Sequence, residues 1–202
     1  MSELDRLIDA PHERIEAIAA HLDGLSPAAR WQQVSALGRD RQRTLFEKAG
    51  PIELAHFVGD AAPRAEVIHD GVNTLPLPSP LRRFQKRFTP SGPERLAGYN
   101  EGPTRAVVGP GYFVAIPTAD RATWATRGAV VIDYFQVPDA HEIAPSWPPI
   151  VDNRWRLQRF VYDQTRDFMR RVSQHVSVGA AYKRERPLDH FFVLCRRATV
   201  GA

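Results

Sequence analysis

The sequence predicts an α+β protein, with short N-terminal helices packed on a curved or barrel-like antiparallel sheet that runs from about residue 64 to the end. Three observations point there. Val176, Val178 and Ala180 alternate with Ser177, Gly179 and Ala181, and Phe191, Val193 and Cys195 alternate with Phe192, Leu194 and Arg196, the period of two strands that should pair. Residues 1–60 instead place apolar side chains at helical spacing between cap and stop signals. Near Pro63 the composition changes, and from about Arg95 short apolar runs are separated by Gly, Pro and polar turns. The chain thus divides into a helical appendage, 1–62, and a β-rich, barrel-like domain, 63–202, with one short helix near 163–172.

In order, Asp9 and Pro11 open a helix with Ile15, Ile18, Ala19 and Leu22 on one face, and Asp23-Gly24 stops it. Ser26-Pro27 caps a second, carrying Trp31, Val34 and Leu37. A third covers about Arg39 to Ala49, and a fourth, shorter one covers Ile52 to Val58 after the Gly50-Pro51 break. Asp70-Gly71 between Val67/Ile68 and Val72 reads as a hairpin turn. The segment Pro76 to Pro80 reads as an extended connector, and Leu81 to Phe88 as a basic amphipathic helix with Leu81, Phe84 and Phe88 on one face. Arg105 to Val108, Tyr112 to Ile116 and Ala129 to Gln136 follow as strands. Val137 to Asn153 carries four prolines and Trp147, and loops of that length are often covers over a site. Trp155 to Tyr162 returns as a strand, and Asp163 caps the helix that holds Phe168, Met169 and Val172. The polar Lys183 to Asp189 segment joins the final hairpin.

A hydrophobic share of 43% and a charged share of 25% are those of a soluble globular chain. The N-terminus is charged rather than signal-like, no run is long enough to cross a bilayer, and the expected address is cytoplasmic. Cys195, the only cysteine, excludes an intrachain disulfide and a cysteine-based zinc site and reads as a packed core thiol. The net charge of +4 lies late: residues 1–100 hold 13 basic against 13 acidic side chains, and residues 101–202 hold 14 against 10. Such a field favours an anionic ligand, an anionic membrane surface or nucleic acid, or is simply a solvated face.

Few residues carry recognisable chemistry. Gly109-Pro110-Gly111 has neither GxGxxG spacing nor a Gly-Lys-Ser/Thr ending and reads as a turn. The seven histidines fall singly, Ser91, Ser173 and Ser177 lack a GxSxG elbow, and no metal ligand set, cofactor motif or catalytic set is assigned. Asp133 stands in an apolar strand, where a carboxylate needs a partner or a function. His175 is the histidine best placed for proton transfer. Tyr112, Tyr134, Trp155, Tyr162 and Tyr182 are amphipathic aromatics in expected strands; with Trp147 of the long loop, Asp133 and His175, they form the candidate ligand-binding set unless they are ordinary core.

The closing segment, VYDQTRDFMRRV, then HVSVGAAYK, then HFFVLCRR, resembles the tail of lipocalin-like (calycin-type) barrel domains of uncharacterised bacterial proteins. The resemblance covers about forty residues, carries over no functional residue, and implies a cup holding a small hydrophobic molecule. Three functional readings stand. The leading one is non-catalytic binding or carrying of a small apolar, possibly anionic, ligand. The second is a cyclase, isomerase or lyase using Asp133 or His175 with a tyrosine for acid–base work. The third is a nucleic-acid-binding protein that presents Arg82, Arg83, Lys86, Arg87 and the late arginines on one face. The apolar faces of the N-terminal helices pack on the sheet or form a homodimer contact.

Overall fold

Eight strands close into an up-and-down antiparallel barrel in which each strand pairs with its sequence neighbours and the last pairs with the first. They are β1 (Val67–Asn73), β2 (Arg83–Gly92), β3 (Arg95–Glu101), β4 (Phe113–Pro117), β5 (Val130–Asp133), β6 (Thr165–Arg171), β7 (Val176–Lys183) and β8 (Arg186–Arg196). The protein is seen in a computed structural model that describes residues 1–198. Closure sets Val72 against Val193 and Gly71 against Leu194, so no strand edge is left unpaired along that seam.

Four helices cover one side of the wall: α1 (Glu3–Asp9), α2 (Ile15–Asp23), α3 (Pro27–Ser35) and α4 (Arg39–Lys48). Ser2 caps α1 in a reciprocal pair with Asp5, and Ser26 caps α3 with Pro27 at its first position. Leu4, Ile8, Ile18, Leu22, Val34 and Leu45 pack on the outward residues Val176, Val178, Val193 and Cys195. The helical faces are therefore used against the barrel. This explains why β7 and β8 are apolar on both faces: one looks into the lumen and the other under the helices. The Cys195 thiol is buried, and burial pushes it up to about 11.

Odd-to-even connections gather at one end of the barrel, here called the mouth, and even-to-odd ones at the other. After Gly50, which bridges Arg171, the chain crosses the far end. There α5 (Ala55–Val58) drives Phe57, with Ile52, into the lumen against Phe88, ring centroids 4.9 Å apart. The mouth carries α6 (Ser79–Arg82) between β1 and β2, α7 (Arg105–Val108) between β3 and β4, and α9 (Gln158–Val161) before β6. The remaining turn, α8 (Ala122–Ala125), lies between β4 and β5 and buries Trp124 against Val131 and Phe168.

Several expected elements are corrected. Asp70-Gly71 is not a turn but the middle of β1; the glycine is there because a Cβ would sit 2.7 Å from the Phe84 ring. Leu81 to Phe88 is not a helix. Only Ser79–Arg82 is helical, and Phe84 and Phe88 share a face because four residues is two strand repeats as well as about one helical turn. Arg105–Val108 is helical rather than extended, and Trp155 to Tyr162 is a turn leading into α9 rather than a strand. The helix expected near 163–172 is strand β6, whose adjacent Phe168 and Met169 are both buried, one outside under Trp124 and the other inside. The final hairpin is also tighter than its polar joint implies: Lys183 pairs with Arg186 around Arg184 and Glu185, with φ of 51° and 65°.

Candidate functional site

Six of the eight strands, or the residue just past one, send a side chain to a single point in the lumen. Lys86 of β2 stands there fully buried. Its amine donates to Asn100 Oδ1 of β3 at 3.0 Å, to Asp167 Oδ2 of β6 at 3.2 Å and to the hydroxyl of Tyr134, the residue after β5. Ring centroids of Phe113 (4.9 Å), Tyr134 (5.0 Å), Phe192 (5.0 Å) and Phe84 (5.8 Å) surround it, from β4, the end of β5, β8 and β2. Tyr134 donates to Asp167 at 3.2 Å, and Asn100 Nδ2 donates to Gly111 O at 3.0 Å and to Tyr134 at 3.1 Å. The period of two on each strand brings these groups to the same face.

Desolvation dominates the electrostatics. Burial pushes the Lys86 amine down from its ordinary range, and Asp167 only partly restores it. Burial likewise pushes the Asp167 carboxyl up, against the pull of Lys86 and the hydrogen bond from Tyr134, and pushes the Tyr134 hydroxyl well above the usual tyrosine value. An ion pair so deeply placed gains little net stability, because removing both charges from water offsets their attraction. The choice of cation is informative too. Of 27 cationic side chains only three are lysines, Lys48, Lys86 and Lys183, and the one in the lumen is among them. Lysine, unlike arginine, can lose its proton when desolvated.

The lumen is filled rather than hollow. Between the Lys86 cluster and the Phe57 plug lie Phe88, Leu96, Ile132, Met169 and Leu194. Three of the four rings around the amine lean into notches where the neighbouring strand has glycine: Phe84 on Gly71, Phe113 on Gly98 and Phe192 on Gly179, with an added Cβ 2.3–2.7 Å from each ring. The expectation of an open cup is corrected by this packing. On the mouth side the cluster is roofed by Tyr162, whose ring stacks on Tyr134 with centroids 5.3 Å apart and planes 18° apart. Gln158 secures the roof by accepting from Gly111 N at 2.8 Å. Gly109 and Gly111, at φ of 111° and 54°, leave the space that Gln158 and the Tyr162 ring occupy.

Of the candidate ligand-binding set read from the sequence, only Tyr134 and Tyr162 meet here. Asp133 faces the outer wall, 3.3 Å from Arg166, and accepts from Phe135 N. Tyr112 and Trp147 pack with Tyr99 outside β3 and β4. The proline-rich 137–150 segment is a strap down that wall, held by Trp147 Nε1 donating to Glu66, Arg64 donating to Ile143 O, and the Arg95–Glu142 pair. It therefore does not roof the lumen. Tyr182 lies against Phe168 outside, Trp155 is exposed at the mouth, and His175 sits in the β6–β7 turn at the far end near Arg196. Asp133 and His175 thus share no site with each other or with a luminal tyrosine. Lys86 turns inward, Arg87 turns outward to Glu66, and Arg82 and Arg83 lie at the mouth, so that basic run does not present one face.

Lys86 stands out in the sequence only as part of a basic run, and Asn100 and Asp167 are not singled out at all. The signal for the first was its rarity as a lysine and its place midway between Phe84 and Phe88 at strand period. In comparisons with known proteins, no family model, no curated protein and no solved structure matches this chain. Among the described residues no group of three or more His, Cys, Asp or Glu side chains is placed to hold a metal, and no helix is long and apolar enough to cross a membrane.

Proposed function

We propose that the barrel binds a small, largely apolar ligand whose polar end, anionic or carbonyl, takes its place beside Lys86, Asn100 and Tyr134. The observation that carries this reading is the buried lysine: a cation with three polar partners and four aromatic faces, kept in a lumen that an apolar side chain would fill at lower desolvation cost. The eight-stranded up-and-down closure, the architecture of lipocalin-like carriers, supports it. Entry is at the mouth. There the roof is one stacked ring and one glutamine contact, whereas the far end is closed by packed Phe57 and Ile52. Binding displaces Tyr162 and swings the luminal phenylalanines out of their glycine notches, so the ligand replaces side chains rather than filling a void.

The test is native mass spectrometry of the folded protein after titration with medium-chain fatty acids and with the matching aldehydes and alcohols. One-to-one binding that is lost in Lys86→Met/Asp167→Leu is the expected result; no binding of any of the three classes overturns the reading. A second reading, acid–base catalysis, is favoured by one observation: Lys86, Tyr134 and Asp167 lie within hydrogen-bond reach of one another, with the amine pushed down and the carboxyl pushed up. It requires turnover of a bound carbonyl compound, which chromatography of the compounds recovered from the same titration detects as a new peak, of unchanged mass for an isomerisation or cyclisation.

A further inference from the structure

Of the ten large apolar side chains left exposed among the described residues, eight lie at the mouth. They are Leu77 and Leu81 around α6, Val107 in α7, the four from Trp155 to Val161, and Leu188 beyond the β7–β8 turn; Phe135, at the start of the β5–β6 connection, lies against Arg166 on the outer wall, and Met1 is elsewhere. Phe160 is 64% exposed, Val107 70% and Trp155 54%. Scattered exposed apolar groups need no explanation, but this concentration at one end does.

The segments that carry these side chains are tied to one another. Lys183 Nζ donates to Phe160 O at 2.9 Å and so ties the β7–β8 turn to α9. Gln158 sits against Gly109 and ties α9 to α7, and Gly102 packs on Phe84 and ties that segment to β2. The charge of the mouth is one-sided. Residues 74–83, 101–112, 152–164 and 183–189 together hold nine Lys and Arg against five Asp and Glu, an excess equal to the +4 of the whole chain. Arg82, Arg83, Arg156, Arg159, Lys183, Arg184 and Arg186 form no ion pair among the described residues, whereas Arg105 and Arg154 pair with Glu101 and Asp152.

The two exposed aromatics each carry their own arginine. The Arg156 guanidinium lies 4.1 Å from the Trp155 ring centroid and that of Arg159 4.7 Å from Phe160. An exposed ring with a cation beside it suits a boundary where acyl chains meet phosphates, because apolar and cationic groups are satisfied at adjacent depths.

We propose that the barrel mouth docks on an anionic lipid bilayer, with Trp155 and Phe160 entering the acyl boundary and the surrounding arginines on lipid phosphates. This goes beyond ligand binding in the lumen and stands without it. If both hold, Tyr162 opens towards the membrane and the ligand passes without crossing water.

The test is co-sedimentation of the full chain with phosphatidylcholine vesicles with and without phosphatidylglycerol, together with quenching of tryptophan fluorescence by brominated acyl chains, the share of Trp155 among the four tryptophans being read as the difference between the parent and Trp155→Phe. The parent protein is expected to partition at least about tenfold better onto anionic vesicles, and its fluorescence to be quenched there. Trp155→Ser/Phe160→Ser should lower partitioning by about tenfold with an unchanged circular dichroism spectrum. Arg156→Gln/Arg159→Gln should lose about fivefold per charge, and only on anionic vesicles. The proposal is overturned if the parent stays in the supernatant, if the Trp155/Phe160 variant sediments as the parent does, or if Trp155 is not quenched. Tighter binding to polyglutamate than to vesicles would point to an acidic protein and overturn it as well.

Discussion

The two ends of the barrel close in different ways, one by a packed plug and the other by a light roof. At the far end Phe57 and Ile52 are buried in the luminal core, and the Phe57 ring packs tilted against both Phe88 and His69. His69 is fully buried and its Nε2 donates to Phe57 O at 2.8 Å. At the mouth the closure is one half-buried tyrosine, one glutamine side chain and two glycines that make room for them, under a segment whose outer face is apolar and exposed. A packed plug resists opening because each buried apolar contact must be lost together, whereas a roof of one ring and a few hydrogen bonds opens locally.

Substitutions at each end sharpen that contrast. Phe57→Ala should cost about 3–5 kcal/mol in urea denaturation, the range for removing a large ring from a packed core. A loss near 1 kcal/mol would mean the far end is as loose as the mouth. The next effect is one of pH. Burial holds His69 down to about 4 and His56 down to about 3, against an ordinary value near 6.5. Both are neutral in the folded chain and bind a proton on unfolding below pH 6.5, so the unfolded state takes up more protons and stability falls as the pH drops. His69 alone should account for a loss on the order of 3 kcal/mol between pH 6.5 and 4, and His69→Gln should remove that share while the comparable share of His56 remains; a pH-independent stability over that window would contradict the neutral plug. The smallest effect belongs to the roof. Tyr162→Ala should cost about 1–2 kcal/mol and speed hydrogen exchange of α9 and the residues around Gly111, leaving β1 and β8 protected.

The architecture was readable where two-residue alternation and turn chemistry agreed, as in β7 and β8. It was misread where a strand buried on both faces lost its alternation, as in β6, or where four-residue spacing served helix and strand alike, as for Phe84 and Phe88. Asp70-Gly71 looked like a turn because sequence does not show which ring will need a glycine's space. The site was mostly illegible for a related reason. Asp133 was the conspicuous carboxylate, yet it faces outward to Arg166, whereas Asp167 was hidden in a segment read as a helix. Only pairing registers bring Lys86, Asn100 and Asp167 to one point, and these follow from closure of the whole barrel.

If the Lys86 cluster is kept for what it binds rather than for holding the barrel together, the barrel folds without its charged pair. Lys86→Met alone leaves Asp167 buried with Tyr134 as its remaining donor, and should cost about 3–5 kcal/mol. The most direct measurement is the urea stability of Lys86→Met/Asp167→Leu, in which Asn100 and Tyr134 still satisfy each other. A double variant as stable as the parent, or up to about 4 kcal/mol more stable, is the predicted result. A double variant as unstable as the single one would show that the charged pair is part of the scaffold, and would contradict the assignment of this cluster as a binding site.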